Sequence, residues 1–184
     1  MKKGRIILEK ERFQLTLERL CHQLIESYDD FTDTCLIGIQ TSGVVMARRI
    51  QKGLAAILSK DDIQSGNLDI TFYRDDFRLR EKPLAPSNTT IDFNIEGKRV
   101  ILVDDVLYTG RTIQAAMSAL QDHGRPRQVE MLTLVDRRFN RHLPIRADYV
   151  GITVDSVDEA YVQVNWEEAD GSDKVLLFGA KNIV

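Results

Sequence analysis

Apolar residues along the chain recur with two different periods, one typical of helices and the other typical of strands. Across residues 11–28 the large apolar side chains are spaced three or four apart, which predicts an amphipathic helix. The stretches 44–58 and 113–120 also favour helices. Short apolar runs rich in branched residues instead predict strands that are buried on both faces of a parallel sheet. These runs are residues 35–39, 100–103 and 129–135.

Strands and helices alternate in the middle of the chain, and this order predicts an α/β fold with a mainly parallel central sheet flanked by helices. Alternating polarity at 68–73 predicts a further strand. Three apolar stretches near the C-terminus, at 147–154, 161–166 and 175–178, are also predicted strands. We expect about 155–178 to form a small β-rich hood over the carboxyl edge of the sheet.

The composition is that of an ordinary globular protein, with 184 residues, 43% apolar, 29% charged and a formal net charge of −3. This size predicts a single domain, 1–184, with a full core, and the acidic balance argues against indiscriminate nucleic-acid binding. No apolar run approaches a membrane span, and acidic residues interrupt the N-terminus before a signal peptide could form. Cys21 and Cys35 lack metal-binding or redox spacing, so we expect reduced thiols in a cytoplasmic protein.

The segment 100–112 combines a strand, two carboxylates, a small polar loop and the start of a helix. Amide groups at the helix N-terminus, two threonine hydroxyls and the flexible Gly110 together suit one phosphate. Asp104 and Asp105 would repel a second phosphate, but they can accept hydrogen bonds from neighbouring hydroxyls, directly or around Mg²⁺. A phosphate beside a diol is a ribose 5-phosphate. The simpler alternative is an ordinary strand–loop–helix with a surface acidic pair.

Two other stretches are also candidates for anion binding. Thr41, Ser42 and Gly43 connect a predicted strand to a predicted helix, which makes them a second candidate anion site, although this loop alone is weak evidence. The segment 74–97 lacks periodicity and is too long for a plain connection, a pattern typical of a functional lid or of a disordered segment.

These motifs resemble the phosphoribosyl-pyrophosphate (PRPP) fingerprint of the type I phosphoribosyltransferases. The run Asp-Asp-Val-Leu-Tyr-Thr-Gly-Arg-Thr at 104–112 is similar to one branch, the pyrimidine-operon attenuation regulators that are also uracil phosphoribosyltransferases (the PyrR family). The resemblance covers nearly the whole chain. Its other motifs are Thr-Phe-Tyr-Arg-Asp-Asp at 71–76, Gly-Arg-Pro at 124–126, Val-Asp-Arg at 135–137 and Leu-Pro-Ile-Arg-Ala-Asp-Tyr at 143–149.

The resemblance implies Mg²⁺-dependent transfer of ribose 5-phosphate from PRPP to uracil, giving UMP and pyrophosphate. It makes Asp104 and Asp105 the catalytic pair, which stabilises positive charge on the sugar and is a possible contact for the Mg²⁺ carried by PRPP. The residues implied in PRPP and 5-phosphate binding are Val106, Leu107, Tyr108, Thr109, Gly110, Arg111 and Thr112. Those implied in a pyrophosphate loop are Thr41, Ser42 and Gly43. Those implied in a mobile loop at 74–97 that closes over PRPP are Arg74, Arg78 and Arg80.

The same resemblance places the base against backbone near Tyr161 and Val162, with Arg137 in contact with substrate; Tyr161 equally suits a core position. In one loop the chain departs from the family, which usually has an arginine at the position of Ser42 and often a lysine at Gln40. Without that cation we expect weaker pyrophosphate binding through backbone N–H groups. Each arginine of the 74–97 loop also has the simpler interpretation of a solvated charge.

The resembled family also binds leader RNA of the pyrimidine operon through a basic dimer face, with UMP favouring binding. The candidate RNA-contacting residues here are His22, Arg138, Arg141 and Arg146. Against this role, Glu18 stands where relatives often carry a small hydroxylated residue, and the 136–143 loop is one residue longer than usual. The alternative is that the arginines serve the active site and a subunit interface.

Three functions therefore remain open from the sequence. The first is a uracil phosphoribosyltransferase with a regulatory role in pyrimidine gene expression. The second is an RNA-binding attenuator with little or no transferase activity, and the third is a phosphoribosyltransferase for another base. In each case relatives suggest a homo-oligomer, a dimer or larger.

Overall fold

The computed structural model describes residues 4–75, 87–155 and 160–179, and these form two β-sheets with four α-helices. The strands are β1 (Arg5–Leu8), β2 (Thr34–Ile39), β3 (Ser65–Leu68), β4 (Arg99–Leu107), β5 (Gln128–Arg138), β6 (Tyr149–Asp155), β7 (Tyr161–Asn165) and β8 (Lys174–Phe178). The helices are α1 (Lys10–Tyr28), α2 (Ser42–Leu58), α3 (Arg111–Leu120) and the single turn α4 (Glu167–Asp170). Among these helices none is both long and apolar enough to cross a membrane.

The central sheet is parallel throughout and has the strand order β3-β2-β4-β5-β6, which confirms the predicted α/β fold. Side chains of β4 alternate between two cores. Ile101 and Val103 pack with α1 and α2 on one face, whereas Val100 and Leu102 pack with α3 on the other. Because helices cover both faces, the strand reads as a continuous apolar run rather than an alternating one.

The second sheet is antiparallel, with the order β1-β8-β7. We call it the hood. Its C-terminal strands agree with the predicted β-rich tail, but its third strand comes from the N-terminus, where Ile6 pairs with Leu176. Local sequence patterns give no signal for a pairing between the two ends of a chain. Trp166 and Val175 anchor the hood in the core formed by α1 and α2.

The prediction of a strand at 68–73 is wrong. β3 ends at Leu68, where it makes its last pair with Ile39 of β2. The Asp69 carboxylate then accepts hydrogen bonds from the Thr71 amide (2.9 Å) and the Thr71 hydroxyl (2.6 Å), and the chain forms a 3₁₀ turn instead. Alternating polarity therefore did not outweigh the tendency of aspartate and threonine to form local turns.

The predicted mobile loop is tied to the sheet in its second half. Thr90 and Asn67 exchange two backbone hydrogen bonds of 2.8 and 2.9 Å, and the Ile95 side chain is fully buried. Residues 87–97 are therefore attached to the fold through the Thr90 backbone and the Ile95 side chain, and the other side chains of this segment are half-buried or exposed. Mobility of the 74–97 loop as a whole stays a prediction.

Candidate active site

The paired carboxylates lie in the part of β4 that extends beyond its pairing with β2. Pairing of β4 with β2 stops at Val103, but pairing with β5 continues from Asp104 opposite Thr133 to Leu107. The strand is thus longer than the predicted 100–103, and Asp104 and Asp105 are within it. The chain winds away from the β2–β4 boundary in both directions, and open α/β sheets bind ligands at such a switch point.

Both carboxylates are held in an unfavourable environment. Asp104 is only 9% exposed, and the Asp105 amide donates a 3.1 Å hydrogen bond to its Oδ1. Burial raises the pKa of Asp104 well above its ordinary range, and the neighbouring Asp105 charge raises it further, although Arg74 opposes this. Burial likewise raises the pKa of Asp105. Such a pair gains most from hydroxyl donors or from a cation.

The loop after β4 presents the N-terminus of α3. Gly110 adopts a left-handed conformation (φ 91°) that suits glycine, and the helix starts at the next residue. The Gln114 amide bonds the Gly110 carbonyl at 3.0 Å, whereas the first-turn amides that precede it have no such intrahelical acceptor. A cavity of about 590 Å³ opens onto this loop. Its lining consists of Arg74, Asp75, Asp104, Val106, Leu107, Tyr108, Thr109, Gly110, Arg111, Thr112 and Ile113.

The connection after β5 supports this phosphate loop. The amides of His142 and Leu143 donate to the Thr109 carbonyl at 3.0 and 3.2 Å. A Cβ at Gly110 would lie 3.2 Å from the Ile145 side chain, so the two segments are in direct contact. This connection therefore shapes the loop that we predict to bind the 5-phosphate.

The predicted pyrophosphate loop lies directly against the carboxylate pair. It contains a cis peptide bond between Gln40 and Thr41. A Cβ at Gly43 would lie only 2.3 Å from the Val103 carbonyl oxygen, so glycine allows the N-terminus of α2 to meet the end of β4. The Ser42 hydroxyl lies close enough to Asp105 to lower its pKa against the larger effect of burial. The structure thus brings the two predicted anion loops together.

Part of the predicted lid contributes to the same cavity. Arg74 lines it and acts electrostatically on Asp104. The Asp75 carboxylate forms an ion pair with the Arg111 guanidinium, a contact that no sequence pattern had indicated. Arg78 and Arg80 lie outside the described residues.

Arg137 and the base candidates of the hood occupy different surroundings. Arg137 is 5% exposed, and its guanidinium carbon lies 3.8 Å from the centroid of the Tyr108 ring. Tyr161 is 49% exposed and stacks on Phe178 with 4.5 Å between ring centroids. Val162 is half-buried and packs on the core beneath the hood. Tyr161 is therefore on the surface of the hood rather than in a core.

The candidate RNA residues lie on α1, at the end of β5 and in the connection after β5. His22 lines a groove of about 860 Å³ beside α1 and α2. Arg138 makes a bidentate ion pair with Asp155 at 2.7 and 2.9 Å. The Arg141 guanidinium donates hydrogen bonds to Asp136 Oδ1 at 2.5 Å and to the Tyr108 carbonyl. Arg146 is exposed.

The acidic partners of these arginines form contacts that the sequence did not reveal. Asp136 lies next to Arg137 in the chain but pairs with Arg141, which in turn holds the backbone of the phosphate loop. Asp155 reaches Arg138 only because β5 and β6 are paired at this point. Both contacts depend on tertiary structure, so no local pattern could have found them.

The fold and the two adjoining anion loops define a phosphoribosyl transferase domain, and a family model of that description matches residues 5–169. The chain is 44% identical to the bifunctional protein PyrR of Haemophilus ducreyi, over 97% of this chain and 98% of that protein. It is 41% identical to the bifunctional protein PyrR of Elusimicrobium minutum, again over 97% and 98%. The chain therefore belongs to the PyrR family.

Solved structures agree on the fold. A hypoxanthine-guanine phosphoribosyltransferase from Bacillus anthracis superposes with a TM-score of 0.71, covering 96% of this chain and 98% of that one. The sequences are only 19% identical, so the match establishes the shared architecture and carries no information on the base.

Proposed function

We propose that the protein transfers ribose 5-phosphate from PRPP to uracil, forming UMP and pyrophosphate, and that it also regulates pyrimidine gene expression through leader RNA. The observation that carries the first activity is a buried carboxylate pair that lies between two predicted anion loops. Gly43 brings the first loop against the end of β4, and Gly110 ends the second loop in the turn from which α3 starts. The membership of the PyrR family supports uracil as the base.

Each part of PRPP has a matching group in this arrangement. The 5-phosphate suits the amides and hydroxyls from Thr109 to Thr112, and the ribose hydroxyls suit Asp104 and Asp105. The pyrophosphate suits the N-terminus of α2. During transfer the bond from C1′ to the pyrophosphate oxygen breaks, the bond from C1′ to N1 of uracil forms, and the N1 proton is released. The nearby carboxylates stabilise the positive charge that develops on the sugar.

The residues present fit a magnesium ion that arrives with PRPP. Mg²⁺ is commonly bound by one or two carboxylates together with substrate phosphates, and Asp104 and Asp105 supply that donor set. In the part of the chain that the structure describes, no three acidic, histidine or cysteine side chains cluster around a common point, so substrate oxygens would complete the coordination. When bound, the ion neutralises the pyrophosphate leaving group.

A base-specificity assay tests the enzymatic proposal. The protein is incubated with PRPP, Mg²⁺ and one radiolabelled base at a time: uracil, hypoxanthine or guanine. We expect UMP from uracil and no product from the purines. A purine nucleotide would indicate a transferase for another base, and no product with any base would indicate an attenuator without activity. The Asp104→Asn, Asp105→Asn double variant is the matched negative control.

Leader-RNA binding is supported by family membership and by exposed Arg146. The ion pairs of Arg138 and Arg141 reduce the charge these two residues offer to phosphates, and the groove containing His22 carries charges of both signs. We therefore propose RNA binding with a contribution from Arg146 that is larger than that of the paired arginines. A homo-oligomeric state and a cytoplasmic location stay predictions.

Filter binding at several salt concentrations tests this regulatory role. We expect a leader-type hairpin to bind more tightly than a scrambled hairpin, with UMP strengthening the specific complex. Arg146→Ala should weaken binding and lower its salt dependence, whereas Arg127→Ala, an exposed arginine after α3, should not. Equal affinity for both hairpins at moderate salt would remove the regulatory proposal.

A further inference from the structure

Trp166 is the single tryptophan of the chain and is held rigidly beneath the hood. Its side chain is 2% exposed. One edge contacts the Phe13 ring at a centroid distance of 5.1 Å and a right angle, and the Arg49 guanidinium lies 5.1 Å from the indole. A buried tryptophan is normally fixed by such packing and also has a partner for its N–H group.

The indole N–H of Trp166 has no hydrogen-bond partner within the described residues. A buried donor without an acceptor is unfavourable and is uncommon in folded proteins. β7, which precedes Trp166, contacts β4, and the acceptor beside the indole is the Asp105 carboxylate. Burial raises the pKa of Asp105, whereas the neighbouring Ser42 hydroxyl and the Trp166 indole lower it. The indole N–H does not, however, meet the geometry of a hydrogen bond.

Helix α2 connects the two groups that flank Asp105. Ser42, in its first turn, contacts the carboxylate, and Arg49 lies seven residues later, about two turns along the same face. Arg49 donates to Glu168 at 2.8 Å and to Asp173 at 2.7 Å, which fixes the hood segment that carries Trp166. One helix therefore sets the position of Asp105 relative to Trp166.

We propose that Trp166 is a positioning residue for Asp105: its indole N–H completes a hydrogen bond to the carboxylate when the ribose of the substrate is bound. This inference rests on the proposed function. It explains the unpartnered donor, because the Asp105 carboxylate is the acceptor that lies beside the indole. It also gives the hood a role in transfer, since the hood orients one carboxylate of the catalytic pair.

Because Trp166 is the single tryptophan, its fluorescence reports on this contact without any substitution. In the wild-type protein we expect UMP, added in increasing amounts, to shift the emission with saturation. In Asp105→Asn the emission change should be at least about fivefold smaller at saturating UMP, since an amide is a weaker acceptor than a carboxylate. An emission that does not respond to saturating UMP in the wild type would overturn the proposal.

A double-mutant cycle on UMP affinity separates positioning from packing. Trp166→Phe keeps a large apolar ring but removes the N–H, and we expect it to weaken UMP binding about tenfold, comparable to losing a hydrogen bond to a charged group. In the Asp105→Asn background the same change should have almost no further effect. In the background of Asp61→Asn, an exposed acid that precedes β3, the full effect should remain.

Additive effects of Trp166→Phe and Asp105→Asn would overturn the inference while leaving the proposed function intact, provided that the wild type forms UMP. If the wild type neither binds nor forms UMP, the proposed function fails, and the inference fails with it. The two failures are therefore distinguished by the wild-type assay. Should Trp166→Phe fold poorly, the fluorescence titration of the wild type still decides the question.

Discussion

The guanidinium of buried Arg137 stacks on the ring of Tyr108, with 3.8 Å between the guanidinium carbon and the ring centroid. The arginine belongs to β5, and the tyrosine belongs to the loop between β4 and α3. The contact therefore joins the strand that carries a candidate substrate residue to the loop that we propose binds the 5-phosphate. It predicts that Tyr108 acts through its ring rather than through its hydroxyl.

Removing the Tyr108 ring should lower transfer. Tyr108→Ala deletes a cation–π contact that contributes about 1–2 kcal/mol when partly desolvated. That corresponds to a fall in kcat/KM for PRPP of about 5- to 30-fold. Tyr108→Phe keeps the ring and should stay within about twofold of the wild type. Steady-state kinetics measure both, and a Tyr108→Ala protein with wild-type efficiency would contradict the role given to the stack.

Asp104→Asn should separate activity from stability. We expect UMP formation to fall at least about 100-fold, because the variant loses negative charge beside the reacting sugar. The melting temperature should rise by about 2–4 °C for each kcal/mol recovered, because burial of a charged carboxylate opposes folding. Thermal unfolding at neutral pH without Mg²⁺ measures the second effect. The exposed Asp61→Asn is the control, and retention of full activity in Asp104→Asn would exclude this residue from catalysis.

Gly43→Ala should disrupt the contact between residues 41–43 and the end of β4. The added Cβ would lie 2.3 Å from the Val103 carbonyl oxygen, so α2 must shift away from β4. We expect a loss of about 1–3 kcal/mol in the free energy of unfolding and a higher KM for PRPP. Gly179→Ala is the matched control, because nothing lies within 4 Å of its added Cβ. Equal denaturation midpoints and equal KM values for the two variants would show that the close approach is unimportant.

Ser42→Arg should strengthen pyrophosphate binding. It adds a cation to this loop, and a charge-assisted contact to phosphate should lower the pyrophosphate Kd by about 5- to 10-fold. Ser42→Gln has a similar reach without charge and should not reproduce the effect. Isothermal titration with pyrophosphate and Mg²⁺ compares them. An unchanged Kd in Ser42→Arg would mean that backbone groups already suffice.

The ion pairs of Arg49 should make attachment of the hood sensitive to acid. Arg49 lowers the pKa of Glu168. Burial alone would raise the pKa of Asp173, but the hydrogen bonds that this carboxylate accepts from Arg49 and from the Glu167 amide give a net lowering. Because the folded-state pKa values are lowered, this stabilisation is complete above the unfolded values of about 3.9 for Asp and 4.3 for Glu, and it is lost as the pH falls below them. The contribution is therefore present at neutral pH.

Asp173→Asn tests this pH dependence. At pH 7 we expect the variant to lose about 1–2 kcal/mol of unfolding free energy, since Glu168 still holds Arg49. Near pH 3 the difference from the wild type should be smaller, because the unfolded carboxyl is then largely protonated and part of the stabilisation that comes from the lowered folded-state pKa is lost. Urea unfolding at both values measures it. A difference that is the same at pH 3 and pH 7 would show that charge at Asp173 is not the cause.

The sequence was most informative where local pattern and chemistry coincide. The apolar run before Asp104, the acidic pair and the glycine of the following loop predicted both a buried strand and a phosphate site at its end, and the structure has that order. Strand alternation failed at 68–73 because Asp69 forms a local turn with Thr71. The end of β4 was also misjudged, since its length depends on pairing with β5 rather than on its own residues.

Contacts between distant segments were not predictable in the same way. The polar neighbours of Trp166 in the chain suggested nothing about a buried indole, which is explained only by Phe13 and Arg49 on two other helices. The pairing of Arg141 with Asp136 was likewise not predictable, and the role of Arg141 in RNA binding stays a prediction. Such contacts depend on tertiary packing, so the local pattern of apolar and polar residues in a single sequence does not predict them.

A crystal structure of the protein with UMP tests the central claim most directly. We predict density for the phosphate against the amides from Thr109 to Thr112 and for the ribose hydroxyls against Asp104 and Asp105. Density for UMP at any other place on the molecule, with this loop left empty at saturating ligand, would contradict the assignment of the site.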